Sequence, residues 1–247
     1  MKVAILGGTK GMGRALARLL AARQDALALL GRQANDLERS ARDLEIRAGA
    51  PKGSIHTAPC DLEDPRTFAP ALLSAETALG GLDAVVVTAG VFGTQEQLEG
   101  DPDLLARMLR INFAHTVLFA EEARKRLLAR GGGVLCVFSS VAGERGRKPV
   151  VLYGAAKAGL SRYLEGLDHR FRSSGLRVVC VKPGFVRTGM TAGLPEPPFA
   201  GDPEDVARVV MRALDRGTPV VYAPAIWRLI MAVIRALPRS VMRRVGF

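Results

Sequence analysis

Short runs of Val, Ile, Leu and Ala alternate with helix-length amphipathic stretches along this chain, and that rhythm restricts the fold more than any other feature. The runs are Val3–Leu6, Ala26–Leu30, Ser54–Ala58, Ala84–Thr88, Val134–Ser139 and Leu176–Val181. Most are apolar without interruption rather than at every second residue, so both faces of each strand need cover. A parallel sheet with helices on both sides supplies it. The stretches between, roughly Met12–Arg23, Asn35–Ala48, Pro65–Leu79, Asp103–Arg130 and Val151–Ser174, predict those helices. Such alternation builds right-handed βαβ units and therefore an α/β, doubly wound, mostly parallel sheet.

A short run at Val220–Tyr222 predicts a seventh strand. No internal repeat or change of composition divides the chain, so residues 1–247 read as a single domain. Its 247 residues, 48% hydrophobic, suffice for one large core. Residues 189–201 (GMTAGLPEPPFAG) are rich in Gly and Pro and predict a mobile loop beside a substrate. Asp202 then stands as an N-cap before Pro203, with Glu204 and Asp205 in the first helical turn. The segment 225–247 is basic and amphipathic, with a helix predicted over Ala225–Leu237.

The three cysteines, Cys60, Cys136 and Cys180, lie far apart with no C-x-x-C pair, and His56, His115 and His169 have no partner at metal-ligand or triad spacing. No metal site or disulfide framework is expected, and the thiols suit a cytoplasmic protein. The chain carries 35 Lys+Arg against 24 Asp+Glu, formally +11. Much of the surplus falls in 144–148 (ERGRK) and in the tail, where Arg228, Arg235, Arg239, Arg243 and Arg244 occur without an acid. With only 5% aromatic residues and no nucleic-acid-binding motif, nucleic acid is not an expected partner. The opening apolar run is too short for a signal peptide, and Arg228 and Arg235 interrupt the tail well short of the ~20 residues of a membrane span. The tail's apolar positions, Ile226, Leu229, Ile230, Val233, Ile234 and Leu237, recur at helical spacing. That pattern serves the core, a subunit contact or a peripheral contact at the inner face of a membrane.

Three groups of residues carry chemistry. The turn after the first strand contains Gly7, Thr9, Lys10, Gly11, Met12 and Gly13; glycines at 7, 11 and 13 let backbone N–H groups and a helix N-terminus approach a pyrophosphate. The second strand ends in Leu30-Gly31-Arg32 without the carboxylate that would bind a ribose 2′-hydroxyl. Arg32, helped by Lys10, offers donors for a 2′-phosphate, so NADP(H) is the expected cofactor. Tyr153 and Lys157 are i and i+4 on one helix and project from one face, where an ammonium would stabilise a phenolate and lower its pKa. Ser140 ends the fifth strand and can donate to a substrate oxygen.

The order and spacing of Gly7-x-x-x-Gly11-x-Gly13, Asp61-Leu62, Thr88-Ala89-Gly90, Asn112, Ser139-Ser140, Tyr153-Gly-Ala-Ala-Lys157 and Pro183-Gly184-Phe-Val-Arg-Thr188 resemble the short-chain dehydrogenase/reductase family over essentially the whole chain. The resemblance implies a Rossmann-type fold and an NAD(P)-dependent oxidoreductase with Asn112, Ser140, Tyr153 and Lys157 as its tetrad. It also implies Asp61 and Leu62 against adenine, Ala89 and Gly90 along the cofactor, and Pro183, Gly184, Val186 and Thr188 about the nicotinamide. A homodimer or tetramer is the family's habit. Leu6 stands where the family has Thr, and Val87-Thr88 where it has Asn-Asn, so altered support hydrogen bonds are expected there. The second half and the tail are similar to the branch that reduces decaprenylphosphoryl keto-sugars. The expected partner is thus a small-molecule or lipid-linked carbonyl substrate. A non-catalytic NADP-binding protein or a membrane-associated adaptor using the basic tail is the competing class.

Overall fold

A computed structural model describes residues 1–246; Phe247, the last residue of the basic tail, lies outside the described residues. The elements follow one another as β1 (Lys2–Leu6), α1 (Gly11–Ala22), β2 (Ala26–Gly31), α2 (Ala34–Ala48), β3 (His56–Pro59), α3 (Phe68–Leu79), β4 (Ala84–Val87), α4 (Gln95–Gly100), α5 (Pro102–Leu109), α6 (Thr116–Ala129), β5 (Gly133–Phe138), α7 (Val151–Phe171), β6 (Leu176–Pro183), α8 (Pro203–Arg216), β7 (Val220–Ala223), α9 (Trp227–Ala236) and α10 (Arg239–Met242). The strands form one seven-stranded sheet in the order β3-β2-β1-β4-β5-β6-β7, and every neighbouring pair is parallel. The order reverses between β1 and β4, which opens a crevice at the carboxyl ends of those strands where ligands bind in folds of this kind.

Both faces of the sheet are buried, as the continuous apolar strands require. In β1, Val3 and Ile5 point to the layer that holds Leu16, Leu20, Leu44, Val206 and Val210 of α1, α2 and α8. Ala4 and Leu6 point to the opposite layer, with Leu72, Phe119, Leu160 and Leu164 of α3, α6 and α7.

The structure corrects the predicted elements at specific places. The helix predicted over Asp103–Arg130 is three pieces: α5, a π-helical turn at Arg110–His115, and α6. The Thr116 hydroxyl donates to the Ile111 carbonyl at 2.6 Å inside that turn, while Asn112 turns inward and is fully buried. A π-turn of this kind widens the helical ladder by one residue and often marks a functional site. α4, which the apolar pattern does not announce, begins with a capping box between Thr94 and Gln97. Asp202 occupies the N-cap position of α8 but makes no capping bond; its carboxylate accepts from Arg187 Nη1 at 2.9 Å instead. The charge-assisted bond to a guanidinium outweighs a cap. That ion pair, one between Arg187 and Glu196, and a bridge from Val186 to Gly201 tie down the base of the 189–201 loop. The tail helix is shorter than predicted and yields at Leu237–Pro238 to α10. No described helix is long and apolar enough to cross a membrane.

Candidate active site

The first turn is built by close approach. A Cβ at Gly13 would lie 2.3 Å from the Gly7 carbonyl oxygen and 2.4 Å from Thr88 Oγ1, and Gly7 adopts φ +95°, so neither position accepts a side chain without displacement. The Thr88 hydroxyl donates to the carbonyls of Leu6 and Gly7 at 3.2 and 3.0 Å. It is the altered support that the Leu6 and Thr88 departures lead one to expect. Lys10 is extended at the N-cap of α1 and its side chain does not cap the helix. The first-turn N–H groups of α1 therefore have no side-chain partner and fit a diphosphate. Gly11 faces the turn after β6, where a Cβ on it would meet Thr188 Cγ2 at 3.4 Å. Met12 follows in the first turn of α1 and is only partly buried.

Thr9 and Lys10 open onto a shallow hollow of about 340 Å³ shared with Arg14, Asp36 and Arg39. Lys10 Nζ lies 3.4 Å from Asp36. Arg32 donates to Glu63 Oε1 at 3.3 Å, and Arg107 reaches the same oxygen at 2.6 Å. The two cations expected at the 2′-position are thus each paired with an acid that the sequence reading did not weigh. Glu63 follows Asp61 and Leu62, and its N–H donates to Asp61 Oδ1 at 2.9 Å. The Leu62 carbonyl is 2.5 Å from His115 Nδ1, so the π-turn grips the segment after β3.

The π-turn also delivers Asn112. Its Oδ1 accepts from the Val91 N–H at 2.8 Å and its Nδ2 donates to the Val91 carbonyl at 2.6 Å, fixing the backbone after Ala89 and Gly90. A Cβ at Gly90 would lie 2.9 Å from Asn112 Oδ1 and 4.0 Å from Lys157 Nζ, so these three residues converge. Lys157 Nζ donates to the Phe138 carbonyl at 3.0 Å. Ser139, immediately before Ser140, donates to the Lys157 carbonyl at 2.9 Å and pins α7 to the end of β5. The Ser140 hydroxyl accepts from the Ala142 N–H at 3.1 Å and reaches the Pro183 carbonyl at 3.5 Å.

Burial moves the two α7 groups in opposite directions. It pushes the Tyr153 phenol up to about 12, with the neighbouring Ser140 hydroxyl opposing the rise. It pulls Lys157 down to about 8. Lys157 Nζ stands 5.8 Å from the Tyr153 ring centroid. The expected lowering of the phenol by the ammonium is therefore not met here: desolvation dominates and keeps Tyr153 protonated. Its ring packs edge-on to Phe92 with centroids 5.2 Å apart.

On the far side of Ser140, Gly184 lies under the indole of Trp227, Val186 pairs with Gly201, and the Thr188 N–H donates to Thr191 Oγ1 at 3.0 Å. Sequence reasoning missed Val91 and Glu63 and assigned no contact to Ser139 or Trp227, since each acts on a residue remote in the chain. A hollow of about 1040 Å³ lies along α7, β7 and α9 and contains none of the tetrad. The chemistry-bearing residues gather instead at the carboxyl ends of the central strands.

The sequence pattern of short chain dehydrogenases matches residues 1–198. An uncharacterized oxidoreductase of Mycobacterium tuberculosis is 35% identical over 242 residues, 98% of this chain and 96% of that protein. Carbonyl reductase family member 4 of Xenopus tropicalis is 29% identical over 222 residues, 86% of this chain and 90% of that one. An actinorhodin polyketide ketoreductase solved with NADPH superposes with a TM-score of 0.79 at 21% identity, covering 90% of this chain and 95% of the other. With this fold, this glycine turn and these matches, the chain belongs to the short-chain dehydrogenase/reductase family, whose members are oxidoreductases acting on CH–OH and C=O groups with a nicotinamide cofactor.

Proposed function

We propose that the protein is an NADP(H)-dependent reductase that converts a ketone to a secondary alcohol, with Tyr153 as its general acid. The observation that carries this reading is the Tyr153 phenol, held neutral by burial beside the Ser140 hydroxyl, with Lys157 on the next turn of the same helix. The dinucleotide, when bound, supplies the hydride. Ser140 donates a hydrogen bond to the substrate carbonyl oxygen, and Tyr153 gives its proton to that oxygen as negative charge develops on it. Lys157 holds ribose hydroxyls and stabilises the phenolate left behind. Asn112 fixes the backbone at Val91 and helps hold a water that returns a proton to Tyr153. When the dinucleotide is bound, the N-terminus of α1 would hold the diphosphate, Asp61 and Leu62 the adenine, Ala89 and Gly90 the stretch between, and the Pro183–Thr188 turn the nicotinamide.

Preference for the phosphorylated cofactor rests on Gly31-Arg32, since β2 itself ends without a carboxylate, with Lys10 as a second cation; a 2′-phosphate would have to draw Arg32 from Glu63 and Lys10 from Asp36. Titration of the full chain with NADPH and NADH, followed by cofactor fluorescence, tests this. NADPH is expected to bind at least tenfold more tightly, a margin that matches one charge-assisted contact of about 1.5 kcal/mol or more. Equal affinities contradict the phosphate site, and binding of neither contradicts the enzyme reading as a whole.

A lipid-linked keto-sugar is the second reading of the substrate, favoured by one feature. The outer face of α9 leaves Leu229 and Val233 65% and 56% exposed beside Arg228 in a segment without acids. Sedimentation with vesicles of phosphatidylglycerol tests it: the native chain is expected to pellet, and Leu229→Glu with Val233→Glu to stay in solution. No sedimentation of the native chain contradicts it.

A further inference from the structure

β7 ends the sheet and pairs with β6 alone. Along that pair the Pro219 carbonyl accepts from the Cys180 N–H at 2.9 Å, and the Ala223 carbonyl from the Gly184 N–H at 3.0 Å. Successive residues of a strand turn their main-chain groups to opposite sides, so those of Pro219, Val221 and Ala223 face β6 and those of Val220 and Tyr222 face away. No strand among the described residues takes the outward groups, and Val220 is 43% exposed. An open edge of this kind is a template for another extended segment.

The same edge forms one side of the hollow of about 1040 Å³ that α7, α8 and α9 also line: Pro219, Val220, Val221 and Tyr222 all border it. Six lysines or arginines and three acids line it. The acids are already committed, Glu165 to Arg162, Asp168 to Arg172, and Glu144 to Lys182 and Arg235. Arg212 and Arg216, one turn apart on α8, and Arg228 on α9 are exposed and make no side-chain hydrogen bond or ion pair among the described residues. Three free cations therefore share one groove with an unpaired strand edge.

This combination selects among occupants. A small anion would meet the arginines and the outward N–H groups, but the outward carbonyls of Val220 and Tyr222 would face its charge. A second copy of the chain, pairing through its own β7, would bring the same arginines against one another, and like charges at an interface repel. An extended peptide with acidic side chains satisfies both features, since its backbone pairs with the edge and its carboxylates meet the guanidinium groups. We infer that the β7 edge takes up an acidic segment of a partner protein as an added strand, with Arg212, Arg216 and Arg228 facing its carboxylates. The inference does not rest on the reductase reading, because none of the tetrad lines this hollow.

The probe is a fluorescein-labelled heptapeptide, Glu-Thr-Glu-Val-Glu-Thr-Glu with blocked ends, followed by fluorescence polarisation on the full chain. It is expected to bind saturably, and the same peptide with Lys in place of Glu is expected not to bind. A version N-methylated at every peptide bond keeps the charge and loses the pairing N–H groups; it is expected to bind at least tenfold more weakly. Arg212→Glu with Arg216→Glu is expected to weaken binding at least tenfold, and both side chains are exposed, so the fold does not depend on them. Val220→Pro removes an outward N–H and no bond to β6, and is expected to weaken binding to a similar extent with a near-native melting curve. The proposal is overturned if the acidic peptide does not bind, if the N-methylated peptide binds equally well, or if the charge-reversed chain binds as the native one does. It is overturned too if the native chain sediments as a dimer that Val220→Pro dissociates, since a second copy would then occupy the edge. NADPH affinity of the same samples is expected to be unchanged by these variants, and it reports on the reductase reading separately.

Discussion

Tyr153 and Lys157 stand one turn apart on α7, and burial acts on them in opposite senses: it favours the neutral phenol and the neutral amine. For Lys157 the consequence for stability has a definite sign. An unfolded lysine keeps its proton to about 10.5, the folded one gives it up near 8, so between those values the unfolded chain binds more protons and stability rises with pH. Below pH 8 the buried charge opposes folding in full. Lys157→Met is therefore expected to raise Tm at pH 7 by several degrees while removing ketone reduction, and calorimetry at pH 7 and pH 10.5 should find the gain much reduced at the higher pH; an equal or lower Tm at pH 7 contradicts it. At the opposite end of the cofactor cleft, Glu63 shares its carboxylate between Arg32 and Arg107. Arg32→Asp is expected to reverse the cofactor preference, and Glu63→Gln, by releasing Arg32, to tighten NADPH several-fold without tightening NADH. Unchanged ratios in both variants would remove Arg32 from the account. None of this pairing is legible from Arg32 alone, because its partner lies 31 positions away in sequence.

At the scale of elements, the glycine turn, Ser140 and the Tyr-x-x-x-Lys spacing are legible because each depends on neighbours within one turn of chain. Asn112 is recognisable only by resemblance, and the reason is structural: its helix is interrupted by a π-turn, which the apolar periodicity over 103–130 does not register. Asp202 carries every local mark of a cap, yet Arg187 takes its carboxylate. The docking of α9 is equally non-local. Glu144 is 5% exposed and ties Lys182 of β6 to Arg235 of α9. Glu144→Ala leaves the nearly buried Lys182 ammonium without its partner, a change that costs about 3–5 kcal/mol when a buried pair is broken. The expected readouts are a lower Tm and faster proteolysis within 225–246; native-like resistance contradicts the idea that this ion pair holds α9.

Across the whole molecule, all seven strands occur where the apolar runs stand, within two residues at each end, because a strand buried on both faces admits little else in its sequence. The strand order reverses between β1 and β4, so the connections leaving these two paired strands diverge to opposite faces at the point where Gly7 and Gly90 lie. Gly13→Ala tests that geometry on the nucleotide side. Its methyl group would fall on the Gly7 carbonyl, and NADPH affinity is expected to drop at least tenfold with a lowered Tm. What the sequence leaves unread is the balance of desolvation against charge around Tyr153, which depends on Phe92, Ser140 and the packing of α7 together.

The claim on which everything else depends is that Tyr153 gives the proton. Ketone reduction by Tyr153→Phe, measured under saturating NADPH beside the NADPH affinity of the same variant, addresses it most directly. General acid catalysis is worth about a hundredfold to ten-thousandfold in rate. A loss of kcat in that range is expected, with NADPH affinity within a few-fold of native. A variant that binds NADPH and reduces the ketone at a near-native rate would contradict it.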